Sequence, residues 1–388
     1  MSATVRNVDN LVIGGGPAGT MVALRLAAAG RNVVLIEKES GLHHKVCGEF
    51  LSREAVDYLH QIGIDPLEPG ANVISNLRLS AGNRLIAAPL PFHALSLSRR
   101  ILDDALLARV EENGCQIQRG TAVETLTPDG DHWIASLTNG DSLRAPNVFL
   151  ATGKHDLRGL PRSAGKQSDL VGFKMHWQLA PAQLRTLRDC MELYLFPGGY
   201  GGLSLIEGDI ANLCLVVRRS TLRRLGGWQD LLASIHCGNR HLRQILEGAA
   251  ALWHRPLAIS PIPYGYLVRE SAGVWCVGDQ AAVIPSFTGD GISIALHSAA
   301  LAAQMFLAGS SAADYNRILR AQLTRPMTLA TSLSRAAVTA AGRAAAIAAL
   351  TIAPNAMRWV AASTRIPQSS LVSECPLQAA APVSPQGA

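Results

Sequence analysis

The chain has 388 residues, 48% hydrophobic and 16% charged, which excludes a disordered protein and suits one large core or two domains. Its net charge of +6 suits anionic substrates or a membrane surface, but the arginines are scattered and no aromatic-studded basic stripe appears, which argues against nucleic acid. The seven cysteines, Cys47, Cys115, Cys190, Cys214, Cys237, Cys276 and Cys375, are odd in number and form no C-x-x-C pair, as expected of reduced thiols in a cytoplasm.

The first apolar run begins within a dozen residues, leaving no room for a charged n-region followed by a separate apolar h-region, so no secretion signal is expected. That run ends in Val12-Ile13-Gly14-Gly15-Gly16-Pro17-Ala18-Gly19 and opens an alanine-rich amphipathic segment. Gly14 suits a tight turn out of a strand, Gly16 a close approach to phosphates, and Gly19 close packing of helix on sheet. A helix starting near Pro17 and Ala18 directs its positive end at an anion. The next apolar run, Asn32 to Ile36, ends in Glu37 and Lys38, with the Glu37 carboxylate placed to accept from an adenosine ribose. Strand, glycines, helix, strand and terminal acid in this order predict a dinucleotide site, and the acid favours a 2′-hydroxyl over a 2′-phosphate.

A loop from Lys38 to Phe50 follows, then a helix from the N-cap candidate Ser52 to about Ile62. Val73 to Leu90, broken at Gly82 and Asn83, predicts a hairpin. Leu102, Leu106, Leu107 and Val110 recur at helical spacing after Ser98, with Gly114 as the C-cap. Strands are predicted at 116–118, 133–137 and 148–151, then at 191–195, 202–206 and 211–218. A helical stretch is expected over 228–245, a buried strand over 273–278 and a helix over 290–307. Beyond Pro326 the chain is alanine-rich, with Arg335, Arg343 and Arg358, and a Pro-, Ser- and Gln-containing tail from Ile366 is expected to be disordered. The apolar stretch Ala344 to Pro354 is too short to span a bilayer.

A second motif spans Trp275 to Ile292: a strand ending in Gly278-Asp279, an apolar loop through Pro285, then Gly289-Asp290-Gly291-Ile292 opening a helix. Asp279 is placed to accept from a ribityl chain, and the amides of Gly289 to Ile292 to stabilise negative charge on a reduced flavin. Paired with the first glycine motif, this segment resembles the p-hydroxybenzoate-hydroxylase superfamily of FAD enzymes, and within it the geranylgeranyl reductase family, over residues 9 to 310. The resemblance implies an α/β fold: a discontinuous Rossmann-type FAD-binding domain (1–72, 95–168 and 267–325), an inserted mixed β-sheet substrate domain (73–94 and 169–266) and a helical C-terminal region (326–365). It assigns Arg99 to the pyrophosphate and Asp279 to the ribityl chain.

Departures choose the subclass. Aromatic hydroxylases carry histidine, glutamine and asparagine where this chain has Ala282, Asp290 and Ser293, and Asp-Gly where it has Thr152-Gly153. Lys45-Val46-Cys47-Gly48 and Thr288 to Ile292 are instead similar to the reductase form. Cys47, beside a lysine and two histidines, is either a proton donor to a carbanion left after hydride transfer or a packing residue of a flavin-lining loop. Lys45 faces the flavin, a substrate phosphate or solvent. His43, His44 and Cys47 lack an evident fourth ligand, so no metal is predicted. Tyr200, Tyr264 and Trp177 are candidate substrate-lining residues, with Met175 and His176 beside the last, although an aromatic in a sheet is commonly core. His155 and His297 are expected to be structural. The Pro-x-x-Tyr-x-Trp-Gly signature of archaeal lipid reductases and the Trp-x-Trp-x-Ile-Pro motif of flavin halogenases are both missing.

The expected activity is reduction of a carbon–carbon double bond in a hydrophobic isoprenoid or polyketide-like substrate, with FAD as cofactor and NAD(P)H as a transient donor, since no second dinucleotide motif is visible. The rivals are a flavin monooxygenase acting on an aromatic or quinone-like lipid and a non-catalytic flavin-binding sensor. A cytoplasmic location is expected. The apolar C-terminal region suits a packed core helix, a long-chain substrate or peripheral membrane contact.

Overall fold

The computed structural model describes residues 5–372. The strand Asn10–Ile13, which leads into the glycine turn, lies at the centre of a five-stranded sheet, between Val33–Glu37 with Gln116–Arg119 beyond it, and Asn147–Leu150 with Trp275–Cys276 beyond it. All four pairings are parallel. Two of the three inner strands, Asn10–Ile13 and Val33–Glu37, are buried at every position, which is why they read as apolar runs rather than as alternation. Helices Arg99–Glu112 and Gly291–Leu307 flank helix Pro17–Ala28. Leu102, Leu106, Leu107 and Val110 all point into this core. A smaller sheet of Val5–Asn7, Ser142–Ala145, His132–Leu137 and Val123–Asp129 adds Leu126, Ala135, Leu137 and Leu143 to it.

The hairpin predicted around Gly82 is the strand pair Asn72–Ala81 and Arg84–Ser96. It belongs to a second, nine-stranded sheet with Cys190–Phe196, Gly199–Ile206, Ile210–Arg218 and Leu170–Gln178, and with short edge strands including Phe50–Leu51. Cys190–Phe196 shows how this sheet divides two environments. Cys190, Glu192, Tyr194 and Phe196 are buried, while Met191, Leu193 and Leu195 turn to the opposite face. Cys190, Tyr194 and Phe196 join a core with the helices Trp228–Gly238 and Arg240–Ile245. The helical stretch predicted as continuous over 228–245 breaks at Asn239, whose side chain accepts from the Leu242 amide at 3.0 Å and so starts a new helix.

Several expectations need correction. Strands Val123–Asp129 and Leu170–Gln178 escaped sequence reading; the second carries Lys174 and His176, which look solvent-facing in a sequence yet are buried. Ser52 sits at its predicted N-cap, but its hydroxyl donates to Glu54 Oε2 at 2.7 Å instead of capping. Pro326 does not mark a break: helix Ala312–Ala337 runs through it, with the proline and neighbouring Leu323, Met327 and Ala330 buried so that packing offsets the lost backbone bond. Residues 366–372, expected to begin a disordered tail, are packed. Ile366 and Val372 are buried, and the Val372 amide donates to Tyr58 Oη at 2.9 Å. The rest of that predicted tail, with Cys375, lies outside the described residues. No single described helix is long and apolar enough to cross a membrane.

Candidate functional site

At Gly14 the backbone has φ +110°, and a Cβ there would stand 2.4 Å from the Ala151 carbonyl oxygen. At Gly19 a Cβ would stand 1.9 Å from the Gly14 carbonyl oxygen, so only glycine lets the helix start this close to the strand. Helix Pro17–Ala28 begins after Gly16 with no side-chain cap, leaving its first amides free of an internal partner. The buried Glu37 accepts from the Gly15 amide at 2.6 Å and from the Glu39 amide at 3.0 Å. Beside this turn, Arg99 grips Asp103 through Nε at 2.7 Å and Nη2 at 2.9 Å, and Lys45 Nζ reaches the same carboxylate at 2.9 Å. Burial would raise the Asp103 carboxyl, but Arg99 and then Lys45 outweigh it and hold it below its ordinary value. Two cations on one carboxylate leave the Arg99–Lys45–Asp103 trio with one positive charge in excess, available to a pyrophosphate.

The second motif meets this cradle from the other side. Asp279 lines the cavity with Lys154 Nζ 3.5 Å from its carboxylate, and Arg162 donates to the Asp279 carbonyl oxygen at 2.8 Å. Gln280 Nε2 donates to the carbonyls of Gly153 and His155, each at 2.9 Å, which ties the Thr152 segment to the Gly278 turn. Asp290 precedes helix Gly291–Leu307, but its buried carboxylate turns away from the cavity and accepts from Arg365 Nη1 at 2.6 Å. Burial, opposed by Arg365 and reinforced by Glu54, pushes Asp290 up to about 7.

The loop between the motifs carries an ionic cluster that sequence reasoning did not assemble. Glu49, with φ +57°, is buried and held by the Lys174 ammonium, by the Arg99 amide at 2.8 Å and by His176 Nε2 at 3.3 Å. Burial would raise the Glu49 carboxyl; the His176 hydrogen bond and the Lys174 charge outweigh it and hold it below its ordinary value. His44 and His176 both pack on the Trp253 ring, with centroids 4.9 and 4.4 Å away, and burial with the nearby Lys174 charge pushes His44 down to about 4. Among the described residues, His44, Glu49 and His176 bring ligand atoms within 4.8 Å of one another, a grouping different from His43, His44 and Cys47. The Lys174 ammonium already on Glu49 makes this a poor cation site. Cys47 Sγ accepts from the Glu49 amide at 3.3 Å and lies within hydrogen-bonding reach of Arg99.

Both glycine motifs and the Cys47 loop contribute to the wall of one continuous cavity of about 710 Å³. Its wall includes Gly14, Gly16, Pro17, Ala18, Glu37, Lys38, Arg99, Gly278, Asp279, Gly289, Gly291 and Ile292, together with Lys45, Cys47, Tyr200 and Tyr264. The same cavity continues along Leu77, Leu79, Met191, Leu193 and Leu195 of the large sheet, roofed by Ala346, Leu350, Met357 and Ala361 of the C-terminal helices. Tyr200 bonds Ser334 Oγ at 3.2 Å; burial pushes it well above its ordinary value and Tyr264 up to about 12, so both phenols stay protonated.

Four predicted residues stand outside this wall. Gly19 serves packing, Asp290 faces Arg365, and Pro285 only precedes the turn at Ser286–Thr288. Trp177 is turned to the opposite face of the large sheet, against the core of Val171 and Phe173. Met175 and His176 also lie off the wall, the latter under Glu49. His297 is a core residue bonded to Tyr58 Oη at 2.8 Å and Gln322 Oε1 at 2.9 Å, whereas His155, expected to be structural, is exposed and lines the cavity. Sequence reasoning missed Lys174, Cys214 and Arg365; only the polar residues alternating at 174 and 176 in an otherwise apolar run signalled the first.

Residues 7–145 match the family model of the FAD binding domain. The menaquinone reductase of Mycolicibacterium smegmatis is 26% identical over 325 residues, covering 79% of this chain and 78% of that protein. The digeranylgeranylglycerophospholipid reductase 2 of Methanosphaera stadtmanae is 25% identical over 331 residues, covering 80% of each. The solved geranylgeranyl bacteriochlorophyll reductase-like protein of Thermoplasma acidophilum superposes with a TM-score of 0.73 at 19% identity, covering 94% of this chain and 95% of that one. This chain is therefore an FAD-dependent oxidoreductase. Within that class it is similar to proteins named digeranylgeranylglycerophospholipid reductase, and its fold is that of the geranylgeranyl bacteriochlorophyll reductase-like protein. The cradle fits FAD on its own chemistry: an uncapped helix start at Gly16, a paired arginine beside it, and acids at Glu37 and Asp279 on one cavity wall.

Proposed function

We propose that this protein uses NAD(P)H to reduce a carbon–carbon double bond in the isoprenoid chain of a lipid or quinone. The observation that carries this reading is the continuity of the cavity from the nucleotide cradle into a channel of leucine, methionine and alanine side chains. A chain of isoprene units is apolar along its length and needs such a wall, with few directional contacts. The relatives named as reductases of menaquinone and of digeranylgeranylglycerophospholipid support the substrate class.

In this reading Arg99 binds the pyrophosphate, Glu37 the adenosine ribose and Asp279 the ribityl chain. FAD, when bound, supplies the hydride. Cys47 delivers the proton to the adjacent carbon; the Glu49 amide and the Arg99 guanidinium stand by to hold its sulfur once the proton has left. Cys214 fixes the loop rather than exchanging protons. Its thiol, pushed up to about 12 by burial, donates to the Cys47 carbonyl oxygen at 2.9 Å. Lys45, committed to Asp103, contributes charge near the phosphates.

The test is mass spectrometry of products from enzyme, FAD and NAD(P)H with a native lipid extract under isotopically labelled oxygen. A lipid gaining two hydrogens and no label is the expected result. A product carrying one labelled oxygen would overturn it in favour of hydroxylation, and failure of the bound flavin to accept electrons from NADH or NADPH would point to a non-catalytic flavoprotein.

A further inference from the structure

The helix Ala340–Ile352 contains only one charged residue, Arg343, yet none of its residues is buried. Its inner face, with Gly342, Ala346 and Leu350 one turn apart, closes the cavity. Its outer face, about 180° away, holds Ala341, Ala344, Ala348, Thr351 and Ile352 and no charge, and the Thr351 hydroxyl is turned back onto the Ile347 carbonyl. Such a helix, apolar on both faces, is ordinarily covered on both. Among the described residues nothing covers the outer side: Ile352 is 86% exposed and Trp359, in the next helix, 62%. In helix Ala356–Ser363 only Met357 is buried, with Val360 and Ala361 beside it on the cavity wall, and Trp359 is exposed.

Charge identifies the partner. From Tyr315 to Val372 the chain carries seven arginines and no aspartate or glutamate. Arg335 and Arg358 flank the apolar face and are exposed. An apolar helix face with an exposed tryptophan at its edge and an all-cationic surround matches a lipid surface with anionic headgroups. The preceding helix Ala312–Ala337 turns by 110° into this one, so the pair bends back instead of running straight through a bilayer.

We propose that Ala340–Ser363 is a monotopic docking surface for anionic phospholipid bilayers, seated through Ile352 and Trp359 and steered by Arg335 and Arg358. Its inner face is a wall of the cavity, so docking places the apolar channel against the acyl layer. That placement rests on the proposed lipid substrate; the docking itself does not.

The experiment is cosedimentation of the full FAD-loaded protein with vesicles of phosphatidylcholine alone and of phosphatidylcholine with an equal part of phosphatidylglycerol. Binding to the anionic vesicles is expected, weaker with phosphatidylcholine alone and weakened by salt. Ile352→Ser with Trp359→Ser should lower affinity about tenfold or more, and Arg335→Gln with Arg358→Gln should remove the preference for phosphatidylglycerol. The flavin spectrum and its reduction by NAD(P)H, read on the same samples, show that the variants fold and separate this result from the fate of the proposed reaction. Absence of vesicle binding, or binding that ignores both pairs of substitutions, overturns the proposal. So does a concentration-dependent dimer that Ile352→Ser with Trp359→Ser dissolves without vesicles, since the face would then be covered by a second copy.

Discussion

Lys174→Met is the sharpest test of the ionic cluster beneath the Cys47 loop. Both Lys174 and Glu49 are 0% exposed, so removing the ammonium leaves a buried carboxylate short of its principal counter-charge. Losing one partner of a buried pair costs about 3–5 kcal/mol. Here the Arg99 amide at 2.8 Å and His176 at 3.3 Å remain on Glu49, which places the loss at the low end, about 3 kcal/mol. Glu49→Gln added to Lys174→Met removes the stranded charge and should recover more than half of the loss. The pH dependence has a definite sign. Glu49 is depressed in the fold, so its contribution is present above the unfolded carboxyl value of 4.5 and is lost as pH falls through the lower folded value. The gap between wild type and Lys174→Met should therefore be widest near neutrality and narrow below 4.5. Denaturant unfolding of the FAD-loaded proteins at several pH values measures it. A Lys174→Met protein within about 1 kcal/mol of wild type at neutral pH, with no narrowing in acid, would refute the assignment of Lys174 as the essential counter-charge.

Asp279→Ala should weaken FAD retention by about tenfold or more while leaving the fold intact, read from flavin absorbance after gel filtration. Cys47→Ala should keep FAD bound and slow turnover about 10²–10⁴-fold, with flavin reduction by NAD(P)H unchanged; full turnover would eliminate the proton-donor role. Asp290 is raised in the fold to about 7, so its protonated form favours folding and wild type should lose stability as pH rises from about 4 to 7. Asp290→Asn should flatten that slope, and a slope unchanged in thermal unfolding would locate the titrating group elsewhere. Arg365→Lys keeps the charge but not the fork that reaches both Asp290 and the Thr288 carbonyl, so amide exchange over 340–365 should quicken; unchanged protection would show that the fork does not hold this segment.

The nucleotide cradle was legible because its demands are local. Gly14, Gly19 and Glu37 are required by a turn, a close approach and a strand end that neighbouring residues specify, and the structure shows each contact within the first strand–helix–strand unit. The Glu49 cluster was not legible because its members are far apart in sequence and of types that usually face water. Glu49 and Lys174 are 125 positions apart and meet only when the Cys47 loop lies across the large sheet. Trp177 failed for a related reason: strand alternation was the right rule, but the phase of Leu170–Gln178 cannot be fixed when both faces are buried, one by apolar side chains and the other by an ion cluster.

Asp290 shows how a motif position can be read correctly in place and wrongly in use. The glycines on either side of it line the cavity, while its own carboxylate is committed to Arg365, 75 residues later. Arg365 also stacks its guanidinium over the Phe92 ring at 4.2 Å, so one side chain joins the turn before helix Gly291–Leu307, the hairpin and the end of the C-terminal helices. Those helices roof the apolar half of the cavity with Leu350, Met357 and Ala361. The substitution of aspartate at 290, which first served to separate this chain from the hydroxylases, is therefore accounted for by what it holds down: its short side chain accepts from Nη1 of the buried arginine of the roof, whose other partners are the Thr288 and Ala361 carbonyls and the more distant Glu54.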